Sequence, residues 1–341
     1  MLKRSLNLFI LLSSMLKKYL IIFIVSLLFA FVSNRLYDTY CSPEALFYDK
    51  CLKTSENWAN EHWRNNESCY VVAGGSEVRM NIDTAVMLKE HGIRAINAGL
   101  TAPHGVKCNV QIGLSILKKG DTFVLSVIPK NYNVENGISR RGCSACISRM
   151  GSKCFTHGII PFNLTTARYL FVGSSQDFAM HIIRSMIGSD SLTRYGNRKI
   201  ARVNESGRVE IIVQTYQLNK ESANAQPQKN IRISGWNDLI RNIKRECQKK
   251  NANFVVYLSR RCSAESYKYE HAQMALHILE LGVPVLRDPN LGVWYNEGFF
   301  SDSDLHLNVD AGREFSAYIA KLLKEKDYWT REELLRIIHQ P

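Results

Sequence analysis

Blocks of apolar residues separated by polar turns predict a strand–helix–strand–helix–strand order in the first half of the chain. Three short β-rich runs, at residues 69–73, 93–97 and 122–128, supply the strands. Between them, apolar positions recur at helical spacing over residues 81–90 and about 107–118. Because the connections are short, this order predicts right-handed crossovers and a parallel sheet covered by helices.

After a stretch that is hard to assign, the same alternation returns. It predicts a helix, a strand, a helix, a strand and a last helix, at about 236–249, 253–259, 267–281, 283–286 and 310–324. Together the two halves predict one α/β unit over residues 68–325, a three-layer α/β/α sandwich with a central parallel sheet. A cysteine-rich insertion at about 131–160 and an irregular insertion at about 190–230 interrupt this unit, and a helical tail, 326–341, follows it.

An uncharged apolar run, residues 19–33, lies near the N-terminus. At about 1.5 Å per residue the run is short for a hydrocarbon core of about 30 Å, but Lys17 and Lys18 can snorkel and the preceding residues are also apolar. No small-x-small motif follows the run, which favours an uncleaved signal-anchor over residues 1–35 and disfavours a cleaved signal peptide.

The charges around this run predict its orientation. Four cations precede it and one, Arg35, closely follows it. The positive-inside bias then places the N-terminus in the cytoplasm and the body outside, on the periplasmic or cell-surface side of a cytoplasmic or inner membrane. Residues 36–67, which are polar, aromatic and irregular in pattern, are expected to form a stalk between the anchor and the domain.

The composition is that of a folded protein. Of 341 residues, 45% are apolar, which is too many for a disordered chain. The net charge of +13 would be compatible with nucleic-acid binding, but residues 1–35 alone carry five cations and no acid. The remaining excess is spread over about 300 residues without a dense basic run, so nucleic acid is not a predicted partner.

Nine cysteines agree with an exported body, because an oxidising compartment allows up to four disulfides. Cys143-x-x-Cys146 followed by Cys154-x-x-His157 also has the composition of a tetrahedral zinc site. The intervening loop is short for a zinc ribbon, which favours a disulfide-pinned insertion, and the zinc site remains the alternative. No cofactor is predicted.

Two segments contain residues with catalytic potential. Ser76 ends a Gly-Gly-Ser turn after the first strand, and His306 lies between Asp302, Asp304 and the last helix. A serine hydroxyl becomes a strong nucleophile when a base accepts its proton, and an acid orients that base. Both segments also fit structural roles, the first as a plain or phosphate-binding turn and the second as a helix cap.

Three short motifs resemble blocks of the SGNH/GDSL-type hydrolases. They are VVAGGS at residues 71–76, NAGL at 97–100 and DSDLHLN at 302–308. The nearest resemblance is to the membrane-anchored, envelope-facing branch with DltD-like and alginate-acetylation-like proteins. The resemblance implies a flavodoxin-like sandwich with Ser76 as nucleophile, His306 as general base, and Asp302, or alternatively Asp304, as the orienting acid.

The same resemblance implies an oxyanion hole and a substrate class. Its donors would be the backbone amides of Ser76 and Gly99 and the side chain of Asn131, which follows the third strand at a looser spacing than the family pattern. His104, in the loop after Gly99, is a candidate for lining the site, and the alternative is an ordinary loop histidine. The implied function is an esterase or O-acyltransferase acting on acyl esters of an envelope glycan. The alternative is a catalytically silent polysaccharide-binding protein, or a scaffold for a membrane-bound acyltransferase.

Overall fold

The computed structural model of the chain describes residues 2–36, 43–62, 68–101, 104–128, 137–155, 158–172, 201–211, 234–262, 267–294, 297–301 and 303–339. The helices in these ranges are α1 (Leu2–Leu36), α2 (Pro43–Glu61), α3 (Ser76–Asn81), α4 (Thr84–His91), α5 (Val106–Ile116), α6 (Arg140–Met150), α7 (Leu164–Val172), α8 (Ser234–Lys249), α9 (Tyr267–Glu280), α10 (Val309–Glu325) and α11 (Arg331–His339). The strands are β1 (Tyr70–Gly74), β2 (Ala95–Gly99), β3 (Thr122–Val127), β4 (Ala201–Val203), β5 (Val209–Ile211), β6 (Asn253–Leu258), β7 (Arg261–Cys262) and β8 (Val293–Trp294).

The central sheet is parallel and has the strand order β2-β1-β3-β6. The run predicted as a strand at 283–286 joins it beyond β6 only through a parallel bridge between Val256 and Val285. From β1 the chain crosses to β2 on one side and then to β3 on the other. In sheets of this kind ligands bind beyond the carboxyl ends of the strands, at the point where the strand order reverses.

Strand side chains alternate between two hydrophobic cores, one on each face of the sheet. On one face, here called the site face, Val72 and Val124 pack with residues of α3, α4 and α10. On the other, here called the thiol face, Val71 and Phe123 pack with residues of α5, α6, α8 and α9. The thiol-face core also includes Cys108, Cys143, Cys146, Cys154 and Cys247. The predicted architecture, a parallel sheet with helices on both sides, is confirmed.

Helix α1 contains a 19-residue segment, Met15–Ser33, that is long and apolar enough to cross a membrane. Nothing in the described part of the protein buries this segment. The predicted apolar N-terminal helix is therefore present, and its length and composition suit a bilayer.

Helix α2 occupies most of residues 36–67, for which the sequence pattern predicts an irregular stalk. It lies along the edge strand β2, where the Asn97 N–H donates to Ser55 Oγ at 2.9 Å. Tyr48 and Leu52 of the same helix enter the thiol-face core. The apolar periodicity of α2 is weak, so this helix is stabilised by its packing against β2. Tertiary packing is the usual source of helix stability in proteins.

The helix predicted over residues 81–90 is present as α4, Thr84–His91, and a second, shorter helix precedes it. Ile82 is extended, and the Asp83 side chain accepts hydrogen bonds from the Ala85 and Val86 N–H groups, so it caps α4. The preceding helix α3 therefore forms a separate element of six residues between β1 and α4. This short helix begins at Ser76 and is the main support of the candidate site.

Both insertions contain regular structure in their described parts. The cysteine-rich insertion includes α6 and a 3-10 helix, Gly151–Phe155, joined by a disulfide between Cys146 and Cys154 with a Cα–Cα distance of 5.7 Å. The irregular insertion contains an antiparallel hairpin, β4–β5. Its turn docks on α3, where Arg208 Nε donates to the Met80 carbonyl at 2.7 Å.

Candidate active site

Ser76 stands directly beyond the carboxyl end of β1, as the first residue of α3. The turn that delivers it is tightly packed. A Cβ on Gly74 would lie 2.9 Å from Ser126 Cβ and 2.7 Å from Glu77 Oε1, so glycine is required there. The nucleophile candidate is consequently fixed by a close approach between β1, β3 and the first turn of α3.

His306 lies in a closed loop that precedes α10. An antiparallel bridge joins Phe300 to Leu307, and the Ser301 N–H donates to the His306 carbonyl at 2.7 Å. Asn308 then caps α10 by accepting a hydrogen bond from the Ala311 N–H at 2.9 Å. The histidine backbone is thereby held on both sides of the residue.

The two candidate residues are in hydrogen-bond contact. His306 Nε2 lies 2.8 Å from Ser76 Oγ, although 230 positions separate them in the chain. Both are largely buried, with 9% of Ser76 and 6% of His306 exposed. With Nε2 unprotonated, the Ser76 O–H donates to it, which is the geometry required for the imidazole to accept the serine proton.

Glu77 is a buried carboxyl next to the nucleophile that the sequence analysis did not single out. Its Oε1 accepts a hydrogen bond from the Gly75 N–H at 2.8 Å. Burial raises the pKa of the Glu77 carboxyl, whereas its hydrogen bonds with Gly75 and Ser126 and the nearby His306 act in the opposite direction. The acid immediately after a Gly-Gly-Ser turn was the available signal, because a carboxylate two residues beyond a glycine can accept its amide.

The two candidate acids differ in what the structure shows of them. Asp304 Oδ2 accepts a hydrogen bond from Arg261 Nε at 2.6 Å, so this carboxylate joins the His306 loop to β7. Asp302 lies outside the described residues. Asp304 thus forms an ion pair with an arginine, which occupies part of the acceptor capacity of its carboxylate.

Two of the predicted oxyanion donors, the amides of Ser76 and Gly99, have different surroundings. The Ser76 N–H is in the first turn of α3, where amides have no acceptor within the helix. The Gly99 N–H donates to Asn97 Oδ1 at 3.0 Å, and a Cβ on Gly99 would lie 2.6 Å from Val78 Cβ. Asn131 lies outside the described residues. The end of β2 therefore abuts α3, with the Gly99 amide engaged by a neighbouring side chain.

His104, the predicted lining residue, is buried with 2% of its surface exposed. The His104 ring stands edge-on to the ring of Tyr48, with centroids 5.5 Å apart. The backbone N–H of His104 donates to the Thr101 carbonyl at 3.1 Å. A Cβ on Gly142 would collide with the His104 carbonyl oxygen, so α6 passes directly over it. These contacts place His104 in the packing between α2, α5 and α6.

The weak zinc candidates do not form a metal centre in the part of the chain that is described. Cys146 and Cys154 are joined in a disulfide, which removes the thiolates that zinc would bind. The Cys143 and Cys108 side chains hydrogen-bond to each other, and this contact together with burial raises the pKa of Cys108. His157 lies outside the described residues, and within them no group of three or more metal-binding side chains occurs.

We compared the chain with protein-family models, curated proteins and solved structures, and none of them matches. The chemistry of the site therefore has to be argued from its own geometry. The central observation is a serine hydroxyl paired with an imidazole at the carboxyl edge of a parallel sheet.

Proposed function

We propose that this chain is a membrane-anchored serine esterase or O-acyltransferase, with Ser76 as nucleophile and His306 as general base. The observation that carries the proposal is the 2.8 Å contact between Ser76 Oγ and His306 Nε2. It is supported by the position of both residues at the carboxyl edge of the sheet, where α/β proteins bind ligands. It is also supported by the resemblance of the three motifs to SGNH/GDSL-type hydrolases.

In the proposed reaction Ser76 Oγ attacks the carbonyl carbon of an acyl ester while its proton passes to His306 Nε2. The tetrahedral intermediate collapses, the bond to the alcohol oxygen breaks, and the imidazolium returns the proton to the departing alcohol. A second acceptor, either water or a sugar hydroxyl, gives its proton to His306 and attacks the acyl group. Its attack breaks the bond to Ser76 Oγ, the imidazolium returns the proton to that oxygen, and the free enzyme is regenerated.

The proposed substrate is an acyl ester of an envelope glycan, outside the membrane. The long apolar segment of α1 supports a membrane attachment. The cation distribution around that segment supports an extracytoplasmic body, and the Cys146–Cys154 disulfide is at home in an oxidising compartment. A membrane anchor would hold the candidate site close to the envelope. This position favours an envelope polymer as the substrate.

A second candidate function is a catalytically silent polysaccharide-binding protein, or a scaffold for a membrane-bound acyltransferase. The observation that favours it is the Gly99 amide, which donates to Asn97 Oδ1 at 3.0 Å and so has an acceptor already. Loss of one oxyanion donor lowers the rate of acyl transfer by about 10²–10³. Turnover would thus depend on whether Gly99 exchanges its acceptor when substrate binds.

The test is covalent labelling of the full chain in detergent by a fluorophosphonate probe. Ser76 Oγ forms a bond to phosphorus, fluoride leaves, and His306 takes the proton. We expect labelling of the wild type and its loss in Ser76→Ala and in His306→Ala, because nucleophile and base act as a unit. Ser115→Ala, which removes a helix hydroxyl bonded only locally to the Ile112 carbonyl, is the matched control and should label normally.

The wild type must first be shown to be folded by its thermal transition. If it then fails to label, the hypothesis of a catalytically silent binding protein or scaffold is favoured. If the wild type is labelled, incubation of fresh enzyme without the probe, together with an acetylated glycan, then distinguishes hydrolysis from transfer. Free acetate indicates hydrolysis, whereas acetate moved to an added oligosaccharide indicates transfer. Mass spectrometry of both products decides between them.

A further inference from the structure

The short helix α3 carries Ser76 at its first residue, and its last residue, Asn81, contacts the loop that contains His306. The Asn81 side chain reaches into the loop of His306 from the opposite end of the chain. Its Nδ2 donates to the Leu305 carbonyl at 2.8 Å, and its Oδ1 accepts from the Leu307 N–H at 2.8 Å.

These two hydrogen bonds grip the backbone immediately before and immediately after His306. A primary amide of this length presents N–H donors and an acceptor oxygen in a single plane, and Asn81 uses its nitrogen for one backbone group and its oxygen for the other. An aspartate could accept from Leu307 but could not donate to the Leu305 carbonyl. An aliphatic side chain would satisfy neither backbone group.

Asn81 is itself held firmly, so that it can act as a fixed reference for the loop. It is fully buried. Ser316 Oγ of α10 donates to the Asn81 carbonyl at 3.1 Å. Asn97 Nδ2 of β2 donates to the next carbonyl, that of Ile82, at 2.7 Å. The sheet and α10 therefore fix the C-terminal end of α3 from two sides.

We propose that Asn81 is a positioning residue that sets the distance between His306 and Ser76. The inference rests on the proposed function, since its consequence is the rate of proton transfer from Ser76. Because one six-residue helix carries both the nucleophile and the residue that brackets its base, this helix couples the positions of the two groups directly. Misplacement of a reacting group by about 1 Å can lower a rate about 100-fold.

The experiment compares Asn81→Ala and Asn81→Asp with the wild-type full chain in detergent. We expect the second-order rate of fluorophosphonate labelling to fall about 10- to 100-fold in Asn81→Ala, with a smaller fall in Asn81→Asp, which keeps one of the two bonds. With p-nitrophenyl acetate as substrate, kcat should fall while KM changes by less than about twofold. Such a split indicates a loss in the reacting geometry and not in binding.

Gln111→Ala is the matched control for general destabilisation. Gln111 is also a fully buried amide, and its Nε2 donates to the carbonyl of Lys153, in the 3-10 helix, at 3.3 Å on the thiol face. Its variant should lose thermal stability comparably and keep its labelling rate within about threefold. If the rates of Asn81→Ala and Gln111→Ala fall equally for an equal fall in melting temperature, the positioning role is wrong.

A second measurement does not require activity. Diethyl pyrocarbonate modification of His306, mapped by mass spectrometry, should be several-fold faster in Asn81→Ala than in the wild type, because loss of both hydrogen bonds releases the loop and exposes an imidazole that is 6% exposed in the wild type. Unchanged modification together with unchanged labelling would overturn the inference. An unlabelled wild type would instead overturn the proposed function, while the modification rates would still decide whether Asn81 holds the loop.

Discussion

The two faces of the central sheet are stabilised in different ways. The site face buries charged and amide side chains beside its apolar core. Among them, Arg208 contacts Asp83 at 3.6 Å, and Arg79 Nη1 donates to the Gly207 carbonyl at 3.0 Å. The core of the thiol face is built around Phe123 and Trp236 and contains five cysteines, and its buried polar side chains, such as Gln111 and His271, each bond to a backbone carbonyl.

The difference corresponds to what each face has to hold. Apolar packing tolerates small shifts, because many arrangements of the same volume have similar energies. A buried hydrogen bond has one partner and one geometry, and its loss leaves a desolvated group. The site face therefore uses polar contacts to fix loops from distant parts of the chain, and the thiol face supplies packing and covalent constraint.

The largest expected effect is on the buried cation of the site face. Arg208 is fully buried, and its Nη2 donates to the Asn308 carbonyl at 3.2 Å, where α10 begins. Arg208→Met should lower the free energy of unfolding by about 3–5 kcal/mol, because it leaves Asp83 buried without this cation. Urea unfolding of the variant and the wild type in detergent measures this difference in the free energy of unfolding.

The matched substitution on the thiol face is Ile240→Val, at a fully buried position of α8. Its expected loss is about 1 kcal/mol, typical of a deleted core methylene. A loss of under about 1 kcal/mol in Arg208→Met would contradict the view that polar contacts carry the stability of the site face.

How far the sequence predicts this molecule depends on the range of the contacts. The strands, the sheet and the turn that carries Ser76 follow from local spacing, and the coarse fold class, a parallel sheet with helices on both sides, is confirmed on the described residues. Asn81 escaped notice because its partners lie 224 and 226 positions away, and a hydrogen bond over such a separation leaves no periodicity. The spacing places the start of the next helix at residue 81 and not at Thr84, although the capping contacts of Asp83 are local and an aspartate before an apolar-periodic run is a usual signal of a helix start.

The second prediction concerns a histidine of the thiol face. His271 Nδ1–H donates to the Leu291 carbonyl, and burial lowers the pKa of His271 to about 4. An unfolded histidine has a pKa of about 6.5, so the unfolded state takes up a proton first as the pH falls. The stability contributed by neutral His271 is thus complete above about pH 6.5 and is lost progressively towards pH 4.

We expect the wild type to lose about 2–3 kcal/mol more than His271→Asn between pH 7 and pH 4, since asparagine can donate in place of Nδ1 but does not titrate. Urea unfolding at several pH values measures the difference between the two proteins. Parallel pH curves would show that His271 is protonated without penalty in the folded state.

The third prediction concerns the covalent constraint of the thiol face. The Cys146–Cys154 disulfide spans a sequence separation of 8. Cys146→Ser with Cys154→Ser should lower the free energy of unfolding by about 2–3 kcal/mol, the chain-entropy value for so short a loop. Dithiothreitol should lower the melting temperature of the wild type and leave the double variant unchanged. Equal sensitivity of both proteins would assign the stabilisation to other cysteines.

The smallest expected effect is on the ion pair between Asp304 and Arg261. The side chains are 22% and 13% exposed, and Nε lies 2.6 Å from Oδ2. Because the pair is partly solvated, Asp304→Asn should lower the free energy of unfolding by less than about 1 kcal/mol. Arg261→Gln should match it, since each variant removes the same pair.

The effect of Asp304→Asn on labelling tests which acid serves His306. If Asp304 only ties the loop to β7, the rate of fluorophosphonate labelling should fall by less than about threefold. Replacement of the orienting acid of a serine–histidine pair lowers the rate by about 10⁴, because the imidazole is left in the wrong tautomer. We expect a loss approaching that size in Asp302→Asn. A comparable loss in Asp304→Asn, with Arg261→Gln unaffected, would instead make Asp304 the acid and the ion pair secondary.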